Sequence, residues 1–423
     1  MNRAAASPFR RDAGGRGFRL SDDHLLTAVV GLALVLAAGF PLVVVAATWP
    51  DTPFLVDFVA FWSGGMLLGD GAGASLLDAE QQRAVQVALR DRLSATEAIR
   101  GVDLHYPFLN PPPLALLFVP LAVLPFHWAY IVWAGISFAG FAVSVALQLR
   151  GSSRGRGKAV ALLAFGGVWI TLLEGQINAV FLLAFSLSLL AFQRQRCVTG
   201  GALLGILWLK PQYALPFALL LLLKRRWREL TGMAGVGAGI GALSLAMVGP
   251  AGIVEYIAQL RRISAFRPPV DALVSPHAMV NWRAMLLNLW PDVPDGEGQV
   301  LVMLLGGSTI LVALLSWRGA WEPASDRFPR QMLIVTLAAI LASPHSHFHG
   351  AVLLLAPLAA LLARPTDRAM PAKGWRTLLV GGLMLSAAVT PFASLRWLLA
   401  PVLLAGLGML IAGRPTTTPH RIS

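Results

Sequence analysis

Leu25-Leu26-Thr27-Ala28-Val29-Val30-Gly31-Leu32-Ala33-Leu34-Val35-Leu36-Ala37-Ala38-Gly39-Phe40-Pro41-Leu42-Val43-Val44-Val45-Ala46-Ala47 is a run of 23 residues without a charge, preceded by Arg10, Arg11, Arg16 and Arg19. A helix needs about 20 apolar residues to cross a bilayer. The run is too long for the apolar part of a cleaved signal peptide. It is expected to stay as an anchor, with the basic residues before it in the cytoplasm. The chain from Thr48 onward then starts on the outer side.

Working outward, the same pattern recurs through most of the 423 residues. Apolar residues make up 56% and charged residues 13% of the chain, and the mean hydropathy is +0.67. This composition predicts an all-α integral membrane protein, a polytopic helical bundle, and excludes a soluble one. A net charge of +13 would suggest nucleic acid in a soluble domain. Here Lys and Arg cluster between apolar runs, which is the orientation signal of a membrane protein, so the partner is the lipid bilayer and not nucleic acid. The single cysteine, Cys197, excludes an intramolecular disulfide framework.

Further spans are predicted near 127–149, 159–173, 177–192, 199–209, 212–223, 231–248, 299–316, 331–343, 349–363, 377–391 and 396–412, about 12 with the anchor and between ten and thirteen in all. Several are short, so tilted, kinked or incomplete helices are expected. To keep the basic clusters at Arg150 to Lys158, Arg194/Arg196, Lys224 to Arg228, Arg318 to Arg330 and Arg364 to Arg376 in the cytoplasm, two conditions must hold. Pro111 to Pro125 must be re-entrant or interfacial, and 199–223 must turn back at Lys210-Pro211, where proline breaks the helix. Residues 25–412 then form one membrane domain between cytoplasmic tails 1–24 and 413–423. The loops 48–126 and 249–298 lie outside, with the turns at Glu174, Lys210 and His345. In the first loop, Leu76 to Leu93 reads as an amphipathic helix in the membrane plane. Asp78 is its N-cap, Val85, Ala88, Leu89 and Leu93 form its apolar side, and Gln82, Arg83, Arg90 and Asp91 lie elsewhere.

Polar residues at membrane depth are costly and mark function. Asp57 in Val56-Asp57-Phe58-Val59-Ala60-Phe61-Trp62 is the foremost, with a helix cap or solvated carboxylate as the alternative. Asp51, Asp70 and Asp103 are weaker acids, Asp103 being the reserve. Lys210, flanked by apolar runs, is a candidate phosphate ligand, or else a lysine snorkelling from a helix end. Gln176 and Asn178 could bond sugar or phosphate, or serve as caps and interhelical links. In the outer loop 249–298, basic residues run against the positive-inside tendency, which makes Arg283 a candidate for donor phosphate and Trp282 for sugar. Trp290 belongs to the interfacial belt. His345, His347 and His349 alternate without a nearby acidic or Cys partner, so no metal is expected.

Four motifs together resemble the polyprenol-phosphate-sugar-dependent glycosyltransferases of the GT-C superfamily, most closely family 87. They are Asp57 to Trp62 followed by Gly69; Tyr106-Pro107-Phe108-Leu109-Asn110-Pro111-Pro112-Pro113; Gly175-Gln176-Ile177-Asn178 with Lys210-Pro211-Gln212; and Ser343-Pro344-His345-Ser346-His347-Phe348-His349. They cover about residues 50–365. The resemblance implies an enzyme that moves a sugar, mannose first and arabinofuranose next, from a polyprenyl-phosphate carrier to a glycan or glycolipid hydroxyl at the outer face of the cytoplasmic membrane. It makes Asp57 the general base of an inverting transfer. It also places His349 at the donor phosphate or acceptor, and Tyr106 and His345 among the sugar or acceptor contacts. His345 could equally serve its own loop, as could His347. Gly350 stands where the family often has an aromatic residue or second histidine. No P-loop, dinucleotide fingerprint or His-Glu-x-x-His occurs, so a lipid-linked donor is expected and no cofactor. The competing readings are a transporter or flippase for a lipid-linked or small solute, and a non-catalytic accessory subunit. Broken segments at 111–125 and 210–211 both fall in the N-terminal half, unlike the paired repeats of transporters.

Overall fold

A computed structural model describes residues 22–49, 57–93, 106–269, 274–317, 319–364 and 374–412. Residues 1–21 of the predicted tail 1–24, the predicted tail 413–423, and the acids Asp51 and Asp103 lie outside these residues. In chain order the helices are α1 (Asp22–Thr48), α2 (Phe58–Gly69), α3 (Ala79–Leu93), α4 (Val119–Ala122), α5 (Phe126–Gln148), α6 (Gly155–Leu163), α7 (Gly166–Glu174), α8 (Asn178–Gln193) and α9 (Cys197–Gly205). They continue with α10 (Pro211–Leu223), α11 (Trp227–Ser264), α12 (Trp282–Leu289), α13 (Asp295–Ser316), α14 (Phe328–Ala342), α15 (Leu355–Leu362), α16 (Trp375–Ala388) and α17 (Leu399–Ala412). Short 3-10 turns extend several of them. The all-α membrane architecture expected from composition is present. Among the described residues five helices are long and apolar enough to cross a membrane, or six if the bent pair α6 and α7 forms one span.

The breaks follow local chemistry. Residues 111–125 form a 3-10 helix at Pro112–Leu117 and the single turn α4, neither long enough to span. Lys210 has extended backbone between the 3-10 turn Ile206–Leu209 and α10, which Pro211 opens. The run 159–173 is divided into α6 and α7, bent by 54°. Three expectations need correction. The segment after Val248 was expected to be loop, yet α11 runs on to Ser264 through a break at Gly249 (φ 68°) before Pro250. Glu255, Gln259, Arg261 and Arg262 interrupt the hydropathy there without interrupting the helix. α13 starts at Asp295, four residues early, because Asp295 and Glu297 suit the positive end of a helix.

α3 carries the other correction. Asp78 caps it as expected, accepting from Glu80 N at 2.8 Å and Gln81 N at 3.1 Å. Its buried residues, however, are Gln82 and Gln86, while Val85 and Leu89 are half-buried and Ala88 is exposed. The amides are used to fasten the returning chain. Gln82 donates to Leu76 O and accepts from Phe108 N, and Gln86 bonds both backbone atoms of Tyr106. Backbone demand outweighs side-chain polarity here.

Aromatic packing seats α2 below the site. Phe61 stacks on Phe118 at 5.1 Å, Phe118 lies 4.7 Å from Trp133, and Trp62 meets Phe126 edge-on at 5.0 Å. α9 and α11 approach through small residues, Gly201-Ala202-Leu203-Leu204-Gly205 against Gly232. A Cβ on Gly201 would lie 1.9 Å from Glu229 O, and one on Gly232 2.1 Å from Val198 O. Neither neighbour is a flexible side chain. Gly201→Val is therefore expected to destabilise the fold by about 1–3 kcal/mol or more, seen as a lower unfolding temperature in detergent. Gly235→Ala, whose added Cβ meets nothing within 4 Å inside α11, should hold or slightly raise that temperature.

Candidate active site

The C-terminus of α7 builds one wall of a cavity of about 620 Å³. Gly175 ends the helix in the left-handed region at φ 65°. Gln176 N donates to Thr171 O at 3.0 Å and Gly175 N to Leu172 O at 3.2 Å, a glycine cap that satisfies the final carbonyls. Further acceptors are taken up by α5, with Tyr130 Oη donating to Leu173 O at 3.1 Å and Trp133 Nε1 to Gly175 O at 2.8 Å. A Cβ on Gly175 would lie 2.5 Å from Phe58 Cβ. The turn is thus pressed against the start of α2, which brings Glu174 and Gln176 to Asp57.

Asp57 does not cap α2. Its carboxylate instead accepts a short hydrogen bond from Gln176 Nε2. Burial raises the Asp57 pKa above its ordinary value, against the opposing pull of the Gln176 bond and the Lys210 charge. Lys210, from the break before α10, is moved the other way. Burial lowers its pKa to about 8, although the Asp57 and Glu174 carboxylates favour its charged form. Its Nζ lies 5.8 Å from the centre of the Phe181 ring. The Tyr106 phenol, also in the wall, is pushed up to about 12 by burial and by Asp57 and Glu174, so it stays a neutral hydroxyl.

The histidine loop closes another side. Val280 N donates to Ser346 O at 2.8 Å, and Asn281 Nδ2 donates to Ser343 O at 2.9 Å. Tyr213 Oη and Ser346 Oγ lie 3.1 Å apart. His345, His347 and His349 all line the cavity. Burial first, then nearby cations including Lys210, lower the His347 pKa to about 3, and burial with His347 and Lys210 lowers that of His345 as well. These rings are neutral hydrogen-bonding groups at physiological pH. Asn178 Nδ2 meets His349 Nδ1 at 2.7 Å, which leaves His349 Nε2 directed toward Glu174 Oε2, 3.8 Å away.

Of the residues singled out from sequence, Asp57, Tyr106, Gln176, Lys210, His345 and His349 therefore meet in one cavity. Three others do not reach it. Asn178 is fully buried behind His349 and orients that ring. Trp282 gives its indole N–H to Thr309 Oγ1 at 2.9 Å, on α13. Arg283, expected at the donor phosphate, is 1% exposed. It donates to Ile263 O, Phe266 O and Pro344 O at 2.8–3.1 Å. Its Nε and Nη1 bind backbone carbonyls that tie the end of α11 to the histidine loop, while its Nη2 is buried without a partner among the described residues.

Two site residues escaped the sequence reading, Glu174 and Arg396. Arg396, in the 3-10 turn before α17, bonds Glu174 Oε1 at 3.3 Å and Thr390 O at 2.9 Å and lies over the Phe348 ring. Each is a lone charge beside a long apolar run, the signal that drew attention to Asp57. Asp57, Glu174 and His349 bring one ligand atom each within 4.8 Å of one another, a grouping able to hold a cation. Burial and the Asp57 charge push the Glu174 pKa up to about 8, against the opposing pull of Arg396 and Lys210, so Glu174 is mostly protonated near neutral pH. Away from these groups the cavity has an apolar arm formed by Leu215, Pro216, Leu219, Tyr256, Leu260, Ile263, Ile310 and Ala339. Leu215 and Leu219 are also 51% and 43% exposed, so this wall reaches the outer surface of the helical bundle.

One cavity thus joins a cluster of carboxyl, ammonium, guanidinium and imidazole groups to an apolar wall that reaches the surface of the bundle. Residues 108–344 match the model of glycosyltransferase family 87. A polyprenol-phosphate-mannose-dependent alpha-(1-2)-phosphatidylinositol pentamannoside mannosyltransferase of Mycolicibacterium smegmatis is 30% identical over 295 residues, 66% of this chain and 68% of its own. The protein of the same description from Mycobacterium tuberculosis is 27% identical over 294 residues, 66% of this chain and 65% of its own. No solved structure matches the chain. The family match includes Glu174, Gln176 and Lys210 and stops just before His345, whereas Asp57 and Arg396 fall outside it. It agrees with the resemblance carried by the four motifs: the chain belongs to glycosyltransferase family 87.

Proposed function

We propose that this glycosyltransferase moves a mannosyl residue from a polyprenyl-phosphate carrier to a hydroxyl of a glycan or glycolipid, at the outer face of the cytoplasmic membrane. The observation that carries the reading is the continuity of one cavity, with Asp57, Lys210 and the histidines at one end and an arm of aliphatic side chains open to the surroundings at the other. A donor made of a sugar, a phosphate and an isoprenoid chain has the same sequence of polarities. The two mycobacterial relatives are described as using such a donor.

The chemistry follows from the groups in the wall. An alcohol is a weak nucleophile, and Asp57 takes its proton as the new bond forms at the anomeric carbon. The polyprenyl phosphate leaves from the opposite face, so a single displacement inverts the configuration. That leaving group needs neutralisation of its charge, which Lys210 supplies, with the Nε2 side of His349 as a neutral hydrogen-bonding partner. Gln176 holds the Asp57 carboxylate in one orientation. Tyr106 and His345 contact the sugar or the acceptor.

Asp57→Asn should cut transfer from labelled polyprenyl-phosphate mannose by about a hundredfold or more, while donor binding survives. Full activity in that variant would remove Asp57 from the mechanism. Protein-dependent movement of the lipid across a vesicle bilayer, without transfer, would favour a transporter instead. The pH dependence has a definite sign. Asp57 acts only when ionised, and its raised pKa means that kcat/KM falls with acidification at a pH above the ordinary carboxylate range. Lys210 binds phosphate only when protonated, and kcat/KM falls again as pH rises through about 8. Lys210→Arg should move the alkaline limb upward and leave the acid limb in place, measured on the purified enzyme at saturating acceptor. An unmoved alkaline limb would take Lys210 out of phosphate binding.

A further inference from the structure

Hydrogen-bond supply and demand around Asp57 are unequal. Glu174 Oε1 is held by Arg396 at 3.3 Å, but Glu174 Oε2 is buried without a hydrogen-bond donor among the described residues. His349 Nε2 stands 3.8 Å away, too far for a hydrogen bond. Gln176 is in the same condition. Its amide nitrogen is engaged with Asp57, and its Oε1 is buried without a partner among the described residues. Two unpartnered oxygens, one of the Glu174 carboxyl and one of the Gln176 amide, therefore lie beside Asp57 on residues of the cavity wall, joined by the glycine-capped turn at Gly175. Buried polar oxygens of this kind are costly unless a ligand supplies the missing partners.

The ligand chemistry follows by exclusion. A phosphate diester offers only acceptors and cannot satisfy Gln176 Oε1, and it is drawn instead to Lys210. Sugar hydroxyls both donate and accept, and a ring carrying neighbouring hydroxyls can serve both oxygens at once. From the glycosyl-transfer reading above, on which this inference rests, we infer that Glu174 is a specificity-determining residue whose free oxygen shares a hydrogen bond with one hydroxyl of the transferred sugar. Gln176 Oε1 takes a neighbouring hydroxyl. Arg396 keeps the Glu174 carboxylate turned so that Oε2 faces the sugar. The donor is thereby read by its pattern of hydroxyls at the end of the cavity opposite the lipid arm.

The experiment is a cross between protein and substrate changes. Short-chain polyprenyl-phosphate mannose and its 2-, 3-, 4- and 6-deoxy analogues are given to wild type, Glu174→Gln and Glu174→Asp. In Glu174→Gln, Arg396 claims the amide oxygen and the amide nitrogen faces the sugar as a donor. In Glu174→Asp the carboxylate withdraws by one methylene. Wild type should lose about tenfold or more in kcat/KM at one deoxy position, because that analogue leaves the Glu174 oxygen unpaired. In Glu174→Asp the penalty at that same position should shrink to within about threefold, with the other positions unchanged, while Glu174→Gln, whose amide nitrogen donates as the protonated carboxyl does, should keep it. An unaltered pattern of penalties in folded Glu174→Asp would overturn the inference. Total inactivity of both folded variants toward every donor would also overturn it, since Glu174 would then belong to the reacting groups. Loss of wild-type transfer on chelation, restored by a divalent cation, would do the same by making Oε2 a metal ligand. Absence of wild-type transfer from every polyprenyl-phosphate sugar is a separate failure, that of the parent reading.

Discussion

The site depends on one close approach, Gly175 against Phe58. Asp57 and Gln176 stand 119 positions apart in sequence, and no side chain could be added at Gly175 without meeting the Phe58 Cβ at 2.5 Å. The left-handed φ of 65° needed for the turn and the space needed for Phe58 both select glycine. Tyr130 and Trp133 bind the carbonyls around the turn, and Tyr130 also packs against Phe58 at 5.5 Å. One aromatic cluster thus fixes both halves of the constellation.

Around that contact the protein concentrates charge where the rest of the chain avoids it. Two carboxylates, Asp57 and Glu174, share the cavity wall with two cations, Lys210 and Arg396. In a medium of low polarity such a set is costly, and part of the cost is relieved because the Glu174 carboxyl holds its proton near neutral pH. Arg283 is a different case. It is deeper than any of these and bonds backbone alone, so burial of a charge does not by itself identify a ligand site.

Much of this could be seen in the amino-acid sequence, for reasons that differ by residue. Charge-free runs revealed the helices because the bilayer imposes a length. Lys210-Pro211 revealed its own break, because proline cannot continue a helix inward. Asp57 stood out by its apolar neighbours. Glu174 had the same setting and was passed over as a turn residue, since its value arises from Arg396, a partner brought from the far end of the chain. Gln82 was misjudged because a polar side chain buried for a backbone bond has no periodic signature. The helical course of residues 250–264 was hidden by its own charges, which interrupt hydropathy but not the main chain.

The exposed position of Leu215 and Leu219 in the cavity wall has a kinetic meaning. A chamber that opens sideways draws on what is dissolved in the surrounding lipid. The quantity that sets occupancy is then a mole fraction in a two-dimensional phase, and detergent acts as a diluent even when it leaves the fold intact. Rates measured at fixed bulk concentration will change with micelle or vesicle content. Only a titration at constant surface density compares one substrate with another.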